Sequence, residues 1–173
     1  MAYADNTKVP TSKSIQDIEK IILRFGADGF MYGWQKDERD NHIAAISFRY
    51  ENRQIRFHLP IGKAEDHLMT PRMHRRTERQ AEEFFHKDVN RRWRSLLLII
   101  KAKLVAIQDG ITTFDNEFLA FMVLPNGRTA GDWLVPQLDE AMEQGIMPEL
   151  VPGLNIKKAI AMGQGKIVDC EVE

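Results

Sequence analysis

Three consecutive stretches near the front of the chain alternate apolar and polar residues with a period of two, and few folds satisfy that pattern. Phe30, Tyr32 and Trp34 alternate with Met31, Gly33 and Gln35. Ala44, Ile46, Phe48 and Tyr50 alternate with Ala45, Ser47 and Arg49, and Ile55, Phe57 and Leu59 with Gln54, Arg56 and His58. Successive side chains of a strand point to opposite faces, so each stretch predicts a half-buried strand. Three in a row predict an antiparallel sheet with one covered face. The last two pair on paper. A two-residue turn at Glu51–Asn52 sets Tyr50 opposite Arg53, Phe48 opposite Ile55, Ile46 opposite Phe57 and Ala44 opposite Leu59. The other face then pairs Arg49 with Gln54, Ser47 with Arg56 and Ala45 with His58. A one-residue slip would turn every apolar side chain to the wrong face. Glu-Asn is a weaker turn signal than Asn-Gly, so a longer loop stays open.

Helical spacing surrounds this block. Ile15, Ile18, Ile22 and Phe25 form one face of a first helix, with Ser12 or Ser14 as the expected N-cap and Gly26 as the stop. Residues 61–76 are a polar connection. The stripe Phe85, Val89, Trp93, Leu97, Ile100, Leu104 and Ile107 predicts a long helix from about Thr77 to Gln108, ended by Asp109-Gly110. It is longer than a small sheet covers, so a kink or projecting first turns are expected. Thr112 or Thr113 caps a third helix carrying Phe114, Phe118, Leu119 and Met122, and Pro125-Asn126-Gly127 is a turn. A fourth helix, Ala130 to Gln144, takes Thr129 with Asp132 as its capping signal and Trp133, Leu134, Leu138 and Met142 as its buried face. Pro136 falls where it splits that helix or shifts its start. The expected fold is therefore α+β: a three-stranded antiparallel sheet preceded by one helix and packed by a long basic helix and two further C-terminal helices. Residues 1–11 read as a flexible arm, 12–152 as a single α+β domain, and 153–173 as an extended or disordered tail.

The 173 residues are 43% hydrophobic and 28% charged, enough for one ordinary core. Cys170 is the lone cysteine, so no internal disulfide framework and no cysteine-based zinc site is expected. The N-terminus lacks the apolar region of a signal peptide, and the longest apolar run, Leu96 to Ile100, is far shorter than a membrane span. A location in the cytoplasm, with no membrane partner, follows as the expectation. Net charge is −1, but the charges segregate. Residues 71–103 hold 10 basic and 4 acidic residues, and residues 104–173 hold 4 basic and 11 acidic. Either the two blocks neutralise each other on folding, or the basic one presents a face to a polyanion.

The basic block supplies the candidate nucleic-acid contacts: Arg75, Arg76, Arg79, Lys87, Arg91, Arg94 and Lys101, with Arg49 and Arg56 on the outer sheet face extending the patch. Arginine suits phosphate because its planar fork donates two hydrogen bonds at once. The alternative is a solvated face laced with Glu82, Glu83 and Asp88. Phe30, Tyr32 and Trp34 read as core, with a base-stacking platform as the other reading; Trp93 and Trp133 read as core. His67 and His74 flank Glu65 and Asp66 without a ligand spacing, and no phosphate-binding loop or nucleophile elbow occurs. No metal, no cofactor and no enzymatic activity are expected.

Two stretches carry a resemblance. IQDIEKIILRFGADGFMYGW with FRYENRQIRFHLP resembles the front half, and RWRSLLLIIKAKLVAIQDGITTFDNEFLAFMVLPNGRTAGDWLVPQL the back half, of a family of small proteins encoded in bacteriophages and prophages. The resemblance covers roughly Val9 to Gly153 and carries no residue roles. It implies an accessory protein of the kind encoded among replication, recombination or counter-defence genes, acting in the cytoplasm of a bacterial host. The order of three strands and a long helix also resembles the core of phage single-strand annealing proteins, a likeness of fold alone. Three expectations follow. The first is nucleic-acid binding, of single strands, through the basic helix. The second is a protein-binding inhibitor or adaptor, anti-CRISPR-like, acting through the acidic surface of Asp132, Asp139, Glu140, Glu143 and Glu149. The third is a salt-sensitive homo-oligomer whose basic and acidic regions meet between subunits.

Overall fold

Period-two patterning becomes a sheet in the order β1–β2–β3, built from β1 (Gly29–Lys36), β2 (His42–Tyr50) and β3 (Arg53–Gly62), all antiparallel. The computed structural model describes Thr7, residues 9–36 and residues 42–145. The β2–β3 register is the one read from the sequence on both faces, from Tyr50 opposite Arg53 to Ala44 opposite Leu59. The turn is the short one. Glu51 and Asn52 both take positive φ, 45° and 65°, the mirror-image turn whose twist matches the strands it joins. In β1, Phe30, Tyr32 and Trp34 face the same side as Phe48, Ile46 and Ala44.

Helix α1 (Thr11–Phe25) and helix α2 (Glu78–Gln108) cover that side. Ile15, Ile18 and Ile22 of α1 are buried, as their spacing requires, and Gly26 ends the helix at φ 111°. The start differs from the expected serine cap. Pro10 occupies the N-cap, and Thr11 donates from its backbone N–H (2.9 Å) and its hydroxyl (2.8 Å) to Asn90 Oδ1 on α2. A side chain from a neighbouring helix does the work that a local cap would do. Ser14 is buried with no hydrogen-bond partner for its hydroxyl. Helix α2 has the expected bounds and begins with a reciprocal cap between Thr77 and Gln80. At 1.5 Å per residue its 31 residues span roughly 46 Å. Its first turns do not project. The connection before it folds back as a 3₁₀ turn, Ala64–His67, that brings His67 to 6.2 Å from the Phe85 ring.

The core lies between sheet and helices. Trp93, Leu97 and Ile100 of α2 meet Ala44, Ile46, Phe48, Ile55 and Phe57. Helix α3 is short (Phe114–Phe118, capped by Thr113), and its buried Phe118 ring stands edge-on to Phe48 and Phe57. A 3₁₀ turn, Leu119–Phe121, follows. Met122 then bridges Ile55, and Val123 N–H donates to the Gln54 carbonyl at 2.7 Å, so this segment lines the free side of β3.

Helix α4 (Ala130–Gln144) runs through Pro136 unbroken. Proline costs the helix one backbone bond, and nearby the Gln137 side-chain amide donates to the Trp133 carbonyl at 2.7 Å. The chain divides into two compact units, Met1–Gly131 and Asp132–Glu173, with the boundary inside the first turn of α4 and inside the span expected as one domain. None of α4's residues is buried, so the expectation of a buried Trp133 does not hold. Residues 1–6 of the expected arm and all of 153–173 lie outside the described residues.

Phe118 has no exposed surface and touches Phe48 of β2, Phe57 of β3 and Phe114. Phe118→Ala is expected to cost about 3–5 kcal/mol through lost burial and the cavity left behind. The shift of the urea midpoint at constant slope measures it.

Candidate nucleic-acid interface

The α2 stripe that fills the core forces its cations to the opposite side of the helix. Arg49 and Arg56 lie on the other face of the sheet, away from α2. The single patch expected from the sequence, in which these two arginines extend the band on α2, therefore does not form. A packed sheet stands between its halves. What forms instead is two basic surfaces back to back.

On the helix side, most of the basic side chains hold structure together. Arg76 donates to the carbonyls of His67 (2.9 Å) and Met69 (3.2 Å), and its guanidinium lies 4.0 Å over the Phe84 ring. Lys87 lies 5.3 Å over the same ring. Arg91 and Arg92 both donate to Asp88, and Arg92 also reaches the Pro60 carbonyl at 2.8 Å, tying α2 to β3. Lys103 ties α2 to α3 through the Glu117 carboxylate at 2.9 Å, and this hydrogen bond holds the Glu117 carboxyl below its ordinary pKa. Arg79 pairs with Glu83 at 3.4 Å, and Arg94 with Asp17 at 3.6 Å. All of these ion pairs are made inside residues 1–131. Arg75 and Lys101 are exposed and form no ion pair among the described residues. Lys101 shares a hollow of about 140 Å³ with Arg24 of α1. Sequence reading passed over Arg24 and Lys20, although their spacing from Lys13 places all three off the apolar stripe of α1.

The outer sheet face is different in kind. It presents Gly29, Met31, Gly33 and Gln35 from β1, Ile43, Ala45, Ser47 and Arg49 from β2, and Gln54, Arg56, His58 and Pro60 from β3. None of these is a carboxylate. Two adjoining hollows of about 320 and 180 Å³ lie on it and share Met31, Ser47 and Gln54. Their floor is low because Gly29, Gly33 and Ala45 carry little or no side chain. At one end Arg49 Nε donates to Asp28 Oδ1 at 2.8 Å, with both side chains 59% exposed. That hydrogen bond lowers the Asp28 pKa and raises that of Arg49. An exposed pair of this sort is worth little and exchanges readily for a phosphate. At the other side Arg56 donates to the Gly127 carbonyl at 2.9 Å, leaving its other guanidinium nitrogens to a ligand. Tyr32 and Trp34 belong to the opposite, core-side face. They stay 52% and 51% exposed, although Trp34 meets Trp93 edge-on at 6.2 Å. They are neither fully core nor a platform on the basic face.

The alternative acidic site splits as well. Asp132, Asp139, Glu140 and Glu143 are exposed on α4, and Glu149 lies outside the described residues. Among the described residues no three His, Cys, Asp or Glu side chains are grouped to hold a metal, and no helix is long and apolar enough to cross a membrane.

Asp88 gives this surface a pH dependence. Burial by itself would raise its pKa, but hydrogen bonds from Arg91 and Arg92, and then their charges, outweigh it and the net shift is downward from 3.8. A carboxyl lowered on folding adds stability above its unfolded pKa and loses it as pH falls through the folded value. Asp88→Asn is therefore expected to cost roughly 1–3 kcal/mol at neutral pH. Its stability should fall less steeply than the wild type's on acidification below about pH 4; urea midpoints along a pH series read both effects. Comparison of the chain with family models, with curated proteins and with solved structures returns no match.

Proposed function

We propose that this chain is a phage-type accessory protein that holds single-stranded nucleic acid on the outer face of its sheet, in replication or recombination. The observation that carries the reading is a three-stranded face with Arg49, Arg56, His58 and Gln54 as its exposed or half-exposed hydrogen-bonding groups and no carboxylate among its strand residues. Three strands spaced by about 4.8 Å make a face about 10 Å across, which suits one backbone rather than a duplex. Arginine forks take phosphates, and the glycine and alanine floor beside Met31 lets a flat base approach the sheet. Arg24, Lys20 and Lys101 on the far side add a long-range positive field that speeds encounter without fixing the strand.

The second reading, a protein-binding module, is favoured by α4. Its residues Asp139, Glu140 and Glu143 sit beside Trp133, Leu138 and Met142 on a helix with no buried residue. An amphipathic acidic helix of this kind suits a basic, apolar-lined groove on another protein.

Fluorescence anisotropy with labelled single-stranded DNA, single-stranded RNA and duplex DNA separates these readings. Single strands are expected to bind more tightly than duplex, and two phosphates on Arg49 and Arg56 give a roughly sevenfold loss of affinity between about 50 and 200 mM salt. Arg49→Ala with Arg56→Ala should abolish most of that slope, while Arg24→Ala with Lys101→Ala should leave it. A loss confined to the second pair moves the strand to the helix side. No binding at the lower salt sinks the nucleic-acid reading and leaves the α4 surface.

A further inference from the structure

The two edges of the sheet are treated differently. On the β3 side, the segment from Met122 bridges Ile55 and donates to the Gln54 carbonyl. On the β1 side no strand pairs with Gly29–Lys36 among the described residues. An unpaired strand edge offers a row of N–H and C=O groups to any other strand, and single-chain proteins blunt it with charge, proline or a bulge. Gly29–Lys36 contains no proline, and its one charge, Lys36, stands at the last position. The one irregularity of the sheet, between His42 and Ile43, belongs to the β2–β3 pairing. The strand is also sticky: Met31 is 63%, Tyr32 52% and Trp34 51% exposed.

Its sequence is matched to itself. A second β1 laid antiparallel with Gly33 opposite Gly33 sets Tyr32 opposite Trp34 of the second copy, Trp34 opposite its Tyr32, and Met31 opposite its Gln35. Both aromatic pairs fall on the core-side face, where the rings are half-exposed. Directly opposed aromatic pairs are among the stronger cross-strand contacts. A two-fold axis at Gly33 makes each contact twice. A Cβ added at Gly33 would meet nothing within 4 Å, so the outer face above Gly33 is open. We propose that two copies of this chain join edge to edge through β1 into one six-stranded antiparallel sheet. A second copy is the occupant because it alone brings a strand edge and the reciprocal Tyr32–Trp34 pairing together. The inference stands without the nucleic-acid reading. If both hold, the outer faces of the two copies run on into each other and double the arginine face.

Size-exclusion chromatography with light scattering on the full chain tests it across a concentration series at low and high salt. The expected mass is twice the 20.0 kDa chain and does not change with salt, since the contact is apolar and backbone-mediated. Tyr32→Lys, with its fold checked by circular dichroism, should weaken the dimer by about tenfold or more, because two aromatic pairs are lost and charge is placed on the edge. Gly33→Cys in a Cys170→Ser background should cross-link on oxidation, because opposed Cα atoms in an antiparallel pair lie about 4.5–5.5 Å apart, within disulfide range. A monomer throughout overturns the proposal. So does a dimer that high salt dissolves, or one in which Gly33→Cys fails to cross-link.

Discussion

The contact between the α2 stripe and the inner sheet face governs the rest of this molecule. Trp93 is completely buried there, among Leu97, Ile100 and the apolar residues of β2 and β3. Its indole N–H has no hydrogen-bond partner, a cost that its large apolar burial offsets. Once this stripe faces the sheet, the helix has no freedom left in where its charges go. They must line the solvent side of the helical layer. The sheet's own polar residues must line the other side, because strand side chains alternate between faces. Two basic surfaces separated by a core follow from one packing decision.

The cations of α2 then divide by what lies within reach. Arg92 and Lys103 sit near β3 and α3 and act as ties, each combining a carboxylate with a backbone carbonyl. Arg76 closes the loop before the helix and stacks on Phe84. A guanidinium used in this way contributes to the fold through several hydrogen bonds and offers little to an outside anion. The outer sheet face carries fewer cations. Arg49 is held by the exposed Asp28 and Arg56 by the Gly127 carbonyl, while the buried Ser47 hydroxyl donates to the Ile55 carbonyl and accepts from Gln54. Small residues keep its floor open.

Edge strands complete the picture. The 122–129 segment turns back on itself at Pro125 to Gly127 and meets the start of the β3 edge through the Met122–Ile55 bridge and the Val123 N–H bond to the Gln54 carbonyl. No comparable segment is described along β1, where Tyr32 and Trp34 stay half-exposed. Half-exposed aromatics on an edge strand point to something beyond that edge, because leaving both the backbone groups and the rings in water forgoes two favourable interactions at once.

Sequence alone determined the strands, the β2–β3 register, the bounds of α2 and the stop at Gly26, because each of these follows from period, turn chemistry or glycine conformation within a few residues. It also pointed to Arg49 and Arg56 of the candidate site, since both alternate with the apolar residues of their strands. It did not reveal that the packed sheet separates Arg49 and Arg56 from the band on α2, that Asn90 replaces a serine cap on α1, or that Trp133 stays 37% exposed while Trp93 is sealed. Those outcomes depend on which elements lie beside one another in space. Charge partners, burial and free edges are properties of neighbours distant in the chain, and only the tertiary structure chooses those neighbours.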